Sequence, residues 1–119
     1  MSSARVERVK RQLLREVTTI LKEDLKDPRI GFVTVMQADL SPDMRNAKIF
    51  VSIMGTPEEQ AETFQVLTHA AGFIRIQIGH RMRLRYTPEI LFVKDESIVH
   101  VDRVLQLLNE IKTKESPHD

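Results

Sequence analysis

The amino-acid sequence predicts a single α+β domain of element order α-β-β-α-α-β-α, with helices packed on a three-stranded sheet. Three observations lead to this prediction. Segments near both ends of the chain place apolar residues three and four positions apart, as amphipathic helices do. Between them, two alternating runs rich in β-branched residues flank a turn, as in a β-hairpin. The 119 residues contain no linker, internal repeat or low-complexity segment, so we expect one domain over residues 1–113 and a flexible tail at 114–119.

The first helix and the hairpin follow from local patterns. Apolar residues recur at helical spacing from Val6 to Leu21, and Pro28 ends this pattern because proline disfavours helix at the residue before it. The stretch "FVTVMQADL" (residues 32–40) is rich in β-branched residues and predicts the first strand. Turn residues in "SPDMRN" lead to "AKIFVSIM" (residues 47–54), which alternates as the second strand.

Two helices are predicted between the second and third strands. Thr56 suits the N-cap of the earlier helix, and Pro57 suits its first position. The small residues Ala70-Ala71-Gly72 interrupt the pattern, so we expect a helix–kink–helix there, with the later helix over about residues 73–84. We assign the apolar side chains of the later helix to the core rather than to base stacking: Phe73, Ile74, Ile78, Met82 and Leu84.

The third strand and a final helix complete the predicted domain. "TPEILFVKD" reads as a strand entered through Pro88, and a helix is expected to begin at Asp95 or Ser97. The apolar residues of that helix have the 3.6-residue period: Val101, Val104, Leu105, Leu108 and Ile111. So few strands among several helices indicate a sheet with helices on one face, although the sequence does not fix the strand order.

Positive charge is concentrated in one part of the chain. No Asp or Glu occurs between Glu62 and Glu89, and this stretch contains four arginines and two histidines. Since the whole chain has a net charge of +1 and this stretch has +4, the remainder has −3. Segregated positive charge is typical of proteins that bind a polyanion such as nucleic acid. The alternative is a solvated helix face that only keeps the protein soluble.

From this distribution we predict an RNA-binding surface in which the arginines lack acidic partners. Its residues lie in the cationic stretch and on the first helix: Arg75, Arg81, Arg83, Arg85, His80, Arg5, Arg8, Lys10, Arg11 and Arg15. Arg45 and Lys48 on the hairpin are secondary candidates. Gly79 would either expose backbone to a phosphate or ease packing against a neighbouring helix, and the sequence leaves both open. Because only 5% of residues are aromatic, we expect recognition of RNA shape and backbone rather than of bases.

Catalytic and metal-binding patterns are absent from the sequence. The four histidines are dispersed, and there is no cysteine, P-loop, dinucleotide fingerprint or nucleophile elbow. Local backbone capping explains the paired carboxylates Asp24/Asp27 and Asp39/Asp43. We therefore expect a protein that is not an enzyme and needs no metal or cofactor. Without a secretory signal or a membrane-length apolar run, we also expect it to be cytoplasmic and monomeric.

Three segments in order resemble the ribosome-binding factor A family over about residues 4–112. They are "RVERVKRQLLREVTTIL", "KDPRIGFVTVMQADLSPDMRNAKIFVSIMG" and "AAGFIRIQIGHRMRLRYTPEILFVKDES". The predicted elements are also similar to a type II KH domain, in which a G-x-x-G loop clamps a nucleic-acid backbone. This chain has no G-x-x-G, and Ala70-Ala71-Gly72 stands in its place, as the family's own pattern has it.

The resemblance implies a bacterial ribosome-assembly factor. Such a factor binds the free 30S subunit, assists late maturation of 16S rRNA near its 5′ end without catalysis, and leaves before translation. The family is often linked to growth in the cold, and ribosomal proteins and a GTPase are expected among the partners. Two alternatives stay open from the residues alone. One is a KH-like RNA chaperone or adaptor for other RNAs, and the other is a protein-interaction module whose arginines contact an acidic partner.

Overall fold

The computed structural model describes residues 4–95, which form two α-helices, a short 3-10 helix and one sheet. The elements are α1 (Ala4–Glu23), the 3-10 helix (Pro28–Phe32), β1 (Val33–Leu40), β2 (Asn46–Ile53), α2 (Pro57–Arg81) and β3 (Glu89–Lys94). The predicted α+β class and three-stranded sheet are confirmed. The final predicted helix and the tail at 114–119 lie outside the described residues. Neither described helix is long and apolar enough to span a bilayer.

The sheet has the order β1-β2-β3, with β1 antiparallel and β3 parallel to β2. A parallel pair needs a long crossover connection, which α2 provides. A register shift between Val35 and Gln37 inserts one extra residue into β1. Val35 pairs with Val51 and Ala38 pairs with Ile49, so the residues before and after this bulge both point to the core face of the sheet. The bulge explains why the first strand alternates only roughly.

The predicted amphipathic stripe of α1 packs on the sheet. Its buried residues are Val6, Val9, Leu13, Val17, Ile20 and Leu21. Burial of aliphatic side chains of this size stabilises a fold by about 1.5–3 kcal/mol each. The opposite side of α1 contains exposed basic residues: Arg8, Arg11, Arg15 and Lys22. The helix therefore has one face for the core and one for solvent or a partner.

A short, locally bonded segment joins α1 to β1. The Asp27 side chain accepts a hydrogen bond from the Arg29 amide (3.0 Å) and pairs with the Arg29 guanidinium (2.7 Å). These bonds, the guanidinium contact first, lower the pKa of Asp27 to about 2. Asp27 thus caps the 3-10 helix, which agrees with the backbone role predicted for it.

Helix α2 is continuous where the sequence predicts two helices, so the described order is α-β-β-α-β. The prediction that two separate helices meet at Gly72 is therefore wrong. Leu67 and Ile74 are both fully buried, and they lie seven positions or about two helical turns apart, so one stripe continues past the glycine. Glycine costs a helix only about 1 kcal/mol relative to alanine and keeps its N–H group, so packing of this stripe outweighs it. A bend of the helix axis at Ala70-Ala71-Gly72 stays a prediction.

Most of the core assignment for the later half of α2 is confirmed. Ile74, Ile78 and Met82 are buried, and Leu84 packs partly buried against the core. Phe73 is 41% exposed, so its assignment to the core is wrong. In an uninterrupted helix Phe73 lies about 100° around the axis from Ile74, at the edge of the stripe rather than within it.

The start of α2 has the predicted capping residues. The Thr56 hydroxyl accepts a hydrogen bond from the Glu59 amide (3.2 Å), and the Glu59 carboxylate accepts one from the Thr56 amide (2.9 Å). This reciprocal capping box satisfies two helix-terminal donors, with Pro57 in the first turn. Gly55 precedes it with φ of +125°, a conformation that side chains with a Cβ rarely adopt.

Replacing Gly72 with alanine is expected to raise the free energy of unfolding by about 0.5–1 kcal/mol. No heavy atom lies within 4 Å of a Cβ built at Gly72, so the methyl group has space while the unfolded chain loses conformational freedom. Urea denaturation followed by circular dichroism measures the change. Gly55→Ala is the opposite control, since its positive φ predicts a loss of stability. A loss in Gly72→Ala as well would show that residue 72 is not in a regular helix in solution.

Candidate nucleic-acid interface

The structure separates the predicted RNA-binding cations into paired and unpaired groups. Arg81 is paired: its Nη2 atom lies 3.0 Å from Asp24 Oδ2, and its Nη1 atom lies 3.5 Å from Glu16 Oε2. Arg81 thereby ties the end of α2 to α1. The prediction that Arg81 lacks an acidic partner is wrong, because the fold brings Asp24 to it from 57 positions away in the sequence.

Arg75 is also paired, contrary to the prediction, and so is Lys10. Arg75 donates from Nε and Nη2 to the Thr87 carbonyl oxygen (3.4 and 3.2 Å), and its Nη1 atom lies 3.4 Å from Glu89 Oε1. These contacts join α2 to the segment that enters β3. Lys10 Nζ lies 3.5 Å from Glu7 Oε1, one helical turn away on α1. Structural contacts thus use part of the charge that the sequence suggested was free.

Six of the predicted arginines form no ion pair within residues 4–95 and are exposed. They are Arg5, Arg8, Arg11, Arg15, Arg83 and Arg85. His80 is exposed as well. Four of the arginines lie on α1, and two follow the C-terminal end of α2. The arginine side chains of this group can bind phosphate without first breaking an ion pair inside the described part of the protein.

Two guanidinium groups lie on one aromatic ring beside this surface. Arg45 Cζ is 4.4 Å and Arg85 Cζ is 5.5 Å from the centroid of the Tyr86 ring, which is 47% exposed. Cation–π contacts at exposed sites contribute about 0.5–1 kcal/mol each. We refer to Arg45, Arg85 and Tyr86 as the Tyr86 cluster. It joins the β1–β2 turn to the loop after α2.

The β1–β2 turn holds Arg45 in place. The Asp43 carboxylate accepts hydrogen bonds from the Ser41 hydroxyl (2.7 Å) and the Arg45 amide (3.0 Å), which together hold the pKa of Asp43 below its usual value. Met44, between them, has φ of 60°. The Arg45 carbonyl oxygen then accepts a hydrogen bond from the Glu89 amide (2.8 Å). Both ends of the Arg45 backbone are therefore anchored.

A shallow groove of about 770 Å³ lies between α2 and the loop before β3. Its lining contains several of the predicted site residues: Gly72, Arg75, Gly79, His80 and Arg85. A Cβ at Gly79 would lie 3.0 Å from Thr87 Oγ1, so this glycine permits close packing against the loop rather than against a helix. Approach of a phosphate to the Gly79 backbone stays a prediction.

The predicted site residues of α1 lie outside the lining of this groove. Arg5, at the start of α1, lines a smaller groove of about 220 Å³ together with Leu84, Arg85 and Tyr86. Arg8, Arg11 and Arg15 lie along the solvent side of α1, opposite its buried stripe. Within residues 4–95 no three His, Asp or Glu side chains are arranged to hold a metal ion.

Comparison with known proteins identifies the family. The family model for ribosome-binding factor A matches residues 5–108, most of the chain. The chain belongs to the ribosome-binding factor A family. It is 46% identical to ribosome-binding factor A of Natranaerobius thermophilus over 115 residues, covering 97% of this chain and 88% of that protein. The identity to the Microcystis aeruginosa protein is 47% over 117 residues, covering 97% and 91%.

Solved structures of ribosome-binding factor A share the fold. A solution structure from Thermotoga maritima, a putative ribosome-binding factor A, has 35% identity and a TM-score of 0.69, covering 82% of this chain and 92% of that one. The crystal structure from Thermus thermophilus has a TM-score of 0.68 at 23% identity, covering 77% and 97%. The resemblance read from the three sequence segments is thus confirmed, together with the α+β fold.

The sequence analysis did not single out Tyr86 and gave Arg45 only a secondary place. Tyr86 is the one tyrosine in the sequence, and a single aromatic residue forms no recognisable run. The available signal was its position, directly after Arg85 at the end of the run with arginine at every second position from Arg81. An exposed aromatic ring beside arginine is a usual component of RNA-binding surfaces.

Proposed function

We propose that this protein is a ribosome-assembly factor that binds the free 30S subunit and assists late maturation of 16S rRNA near its 5′ end, without catalysis. Family membership supports this proposal, as does the Thermus thermophilus ribosome-binding factor A that has been fitted into a map of a 30S complex. The observation that carries it is the set of exposed arginines on α1 and after α2 that form no ion pair with any residue of the described range 4–95.

The physical basis of binding is electrostatic. Folded rRNA is a dense polyanion, and arginine binds phosphate through two parallel N–H groups. Each phosphate neutralised releases condensed counterions, which makes binding strongly dependent on salt. Arg75 and Arg81 contribute by holding α2 against β3 and α1, so that the unpaired arginines keep their positions.

The protein acts in the cytoplasm as a monomer, with ribosomal proteins and a GTPase among its further partners and a role in growth in the cold.

Sedimentation with purified ribosomal particles tests this function. We expect the protein to pellet with free 30S subunits and not with 50S subunits or complete ribosomes. The slope of log affinity against log salt should be about −0.7 to −0.9 per phosphate contact, or about −4 to −5 if all six unpaired arginines make one contact each. Equal pelleting with all three particles, or affinity that does not change with salt, would refute the proposal.

Two further measurements separate the alternatives. Equal affinity for an unrelated structured RNA of similar length would indicate a general RNA chaperone. Tight binding to a protein, with no affinity for RNA stripped of protein, would indicate a protein-interaction module. Cells that lack the protein should accumulate 16S rRNA with an unprocessed 5′ end, and mature 5′ ends in such cells would contradict the maturation role.

A further inference from the structure

We propose that Tyr86 is the centre of a binding site for RNA backbone phosphate, in which its ring holds Arg45 and Arg85 together and Arg5 extends the cationic rim. Tyr86 is a positioning residue in this site, and the guanidinium groups contact the phosphate. This inference rests on the proposed function, which supplies RNA as the ligand. It adds a defined site to a general cationic surface.

The first argument is the placement of two like charges on one ring. Both guanidinium carbons are measured to the same centroid, at 4.4 and 5.5 Å, so they lie at most about 10 Å apart. Neither forms an ion pair with a carboxylate within the part of the chain that the structure describes. Two cations this close repel each other, and the negative face of an aromatic ring offsets part of that repulsion. An anion bound between them would offset the rest.

The second argument is that the nearby carboxylates are already engaged. Asp43, in the small groove with Arg5 and Arg85, accepts hydrogen bonds from the Ser41 hydroxyl and the Arg45 amide. Glu89, in the groove on the other side, pairs with Arg75. Asp43 keeps its negative charge, which interacts with Arg45, but the guanidinium groups of Arg5, Arg45 and Arg85 outnumber this one carboxylate, so the net charge around Tyr86 is positive.

The third argument is that the site is preformed. The backbone of Arg45 is bonded at its amide to Asp43 and at its carbonyl to β3. The residue after Tyr86 offers its carbonyl oxygen to Arg75, and the following Pro88 is fully buried. Tyr86 is thus followed by anchored residues and contacts an anchored Arg45, and a site that is already ordered loses less conformational entropy when it binds.

The class of ligand follows from what already contacts the Tyr86 ring. A ring that already holds guanidinium groups has less free surface for a nucleobase, and guanidinium groups match the geometry of phosphate oxygens. The site therefore recognises the phosphodiester backbone rather than a particular base. This agrees with the small number of aromatic residues in the chain.

Tyr86→Leu and the matched control Tyr86→Phe test the role of the ring, because Phe keeps the aromatic face. Affinity for 30S subunits is measured across a salt series, and urea midpoints verify that both variants fold. We expect Tyr86→Phe to bind within twofold of the unchanged protein. Tyr86→Leu should bind about tenfold more weakly, with a salt slope smaller by about 1, the change expected for one lost phosphate contact.

A double-mutant cycle distinguishes positioning from base stacking. If Tyr86 acts through the two arginines, Tyr86→Leu should add less than twofold to the loss caused by Arg45→Gln/Arg85→Gln. If the ring stacks on a base, Tyr86→Leu should weaken binding with an unchanged salt slope and add its full effect to Arg45→Gln/Arg85→Gln. That result, or unchanged affinity of Tyr86→Leu, would overturn the proposal.

Parallel titration with a single-stranded polyuridylate separates this site from the proposed function. Ring-dependent and salt-dependent binding to polyuridylate, without binding to 30S subunits, would support the phosphate site and refute the assembly-factor role. Binding to 30S subunits that does not depend on the ring would support the assembly-factor role and refute the phosphate site. A protein that binds neither RNA would refute both.

Discussion

Replacing both Arg83 and Arg85 with glutamate is expected to weaken binding to the 30S subunit by about 100-fold or more. Both side chains are exposed, and neither forms an ion pair within residues 4–95. A hydrogen bond to a charged group contributes about 1.5–3 kcal/mol, so the loss of two such contacts corresponds to at least that factor. Repulsion between the new carboxylates and phosphate adds to it. The free energy of unfolding should change by less than about 1 kcal/mol, because the contact between Arg85 and the Tyr86 ring contributes about 0.5–1 kcal/mol and both positions are otherwise exposed.

A matched pair of neutral variants shows whether contact or overall charge is responsible. Arg83→Gln/Arg85→Gln and Arg75→Gln/Arg81→Gln remove the same charge, but only the second pair breaks ion pairs inside the protein. We expect the first to lose about 10- to 100-fold in affinity with unchanged stability. The second should lose about 1–2 kcal/mol of stability, since partly exposed pairs contribute up to about 1 kcal/mol each, and stay within about threefold in affinity. The opposite pattern would mean that the ion pairs open when rRNA binds.

Much of the fold could be predicted because its signals are local. The α1 stripe, the turn residues between β1 and β2, and the helix start at Thr56 and Pro57 are each encoded within a few neighbouring positions. The bulge in β1 and the continuity of α2 could not be predicted in this way. Both depend on packing across elements, and in α2 the buried stripe outweighs the helix-breaking tendency of Gly72.

The sequence predicted which basic residues the candidate site contains, but not how the fold arranges and pairs them. A run of arginines without acidic neighbours is visible in the sequence, but it says nothing about carboxylates that the fold brings from elsewhere. Arg81 meets Asp24 and Glu16 on α1, and Arg75 meets Glu89 at the start of β3. The Tyr86 cluster is likewise a product of tertiary structure, because its two arginines come from the β1–β2 turn and from the loop after α2. Sequence analysis can therefore find cations, whereas the structure shows which of them are available.

The largest loss of stability is expected from Ile74→Ala, which should lower the free energy of unfolding by about 2–5 kcal/mol. Ile74 is fully buried in the stripe of α2 that continues past Gly72, so the substitution removes apolar contacts and leaves a cavity. Small domains have total stabilities of about 5–15 kcal/mol, so this one change removes a large share. Urea denaturation at constant temperature measures it.

Ile76→Ala is the matched control, because it makes the same chemical change two positions away on the same helix. Ile76 is 60% exposed, so we expect its replacement to change stability by less than about 0.5 kcal/mol, with the higher helix propensity of alanine offsetting the lost contacts. Equal costs for the two variants would contradict the orientation of α2 that buries Ile74 and exposes Ile76. A large difference would establish that orientation, which also directs Arg81, seven positions or about two helical turns after Ile74, toward the carboxylates of α1.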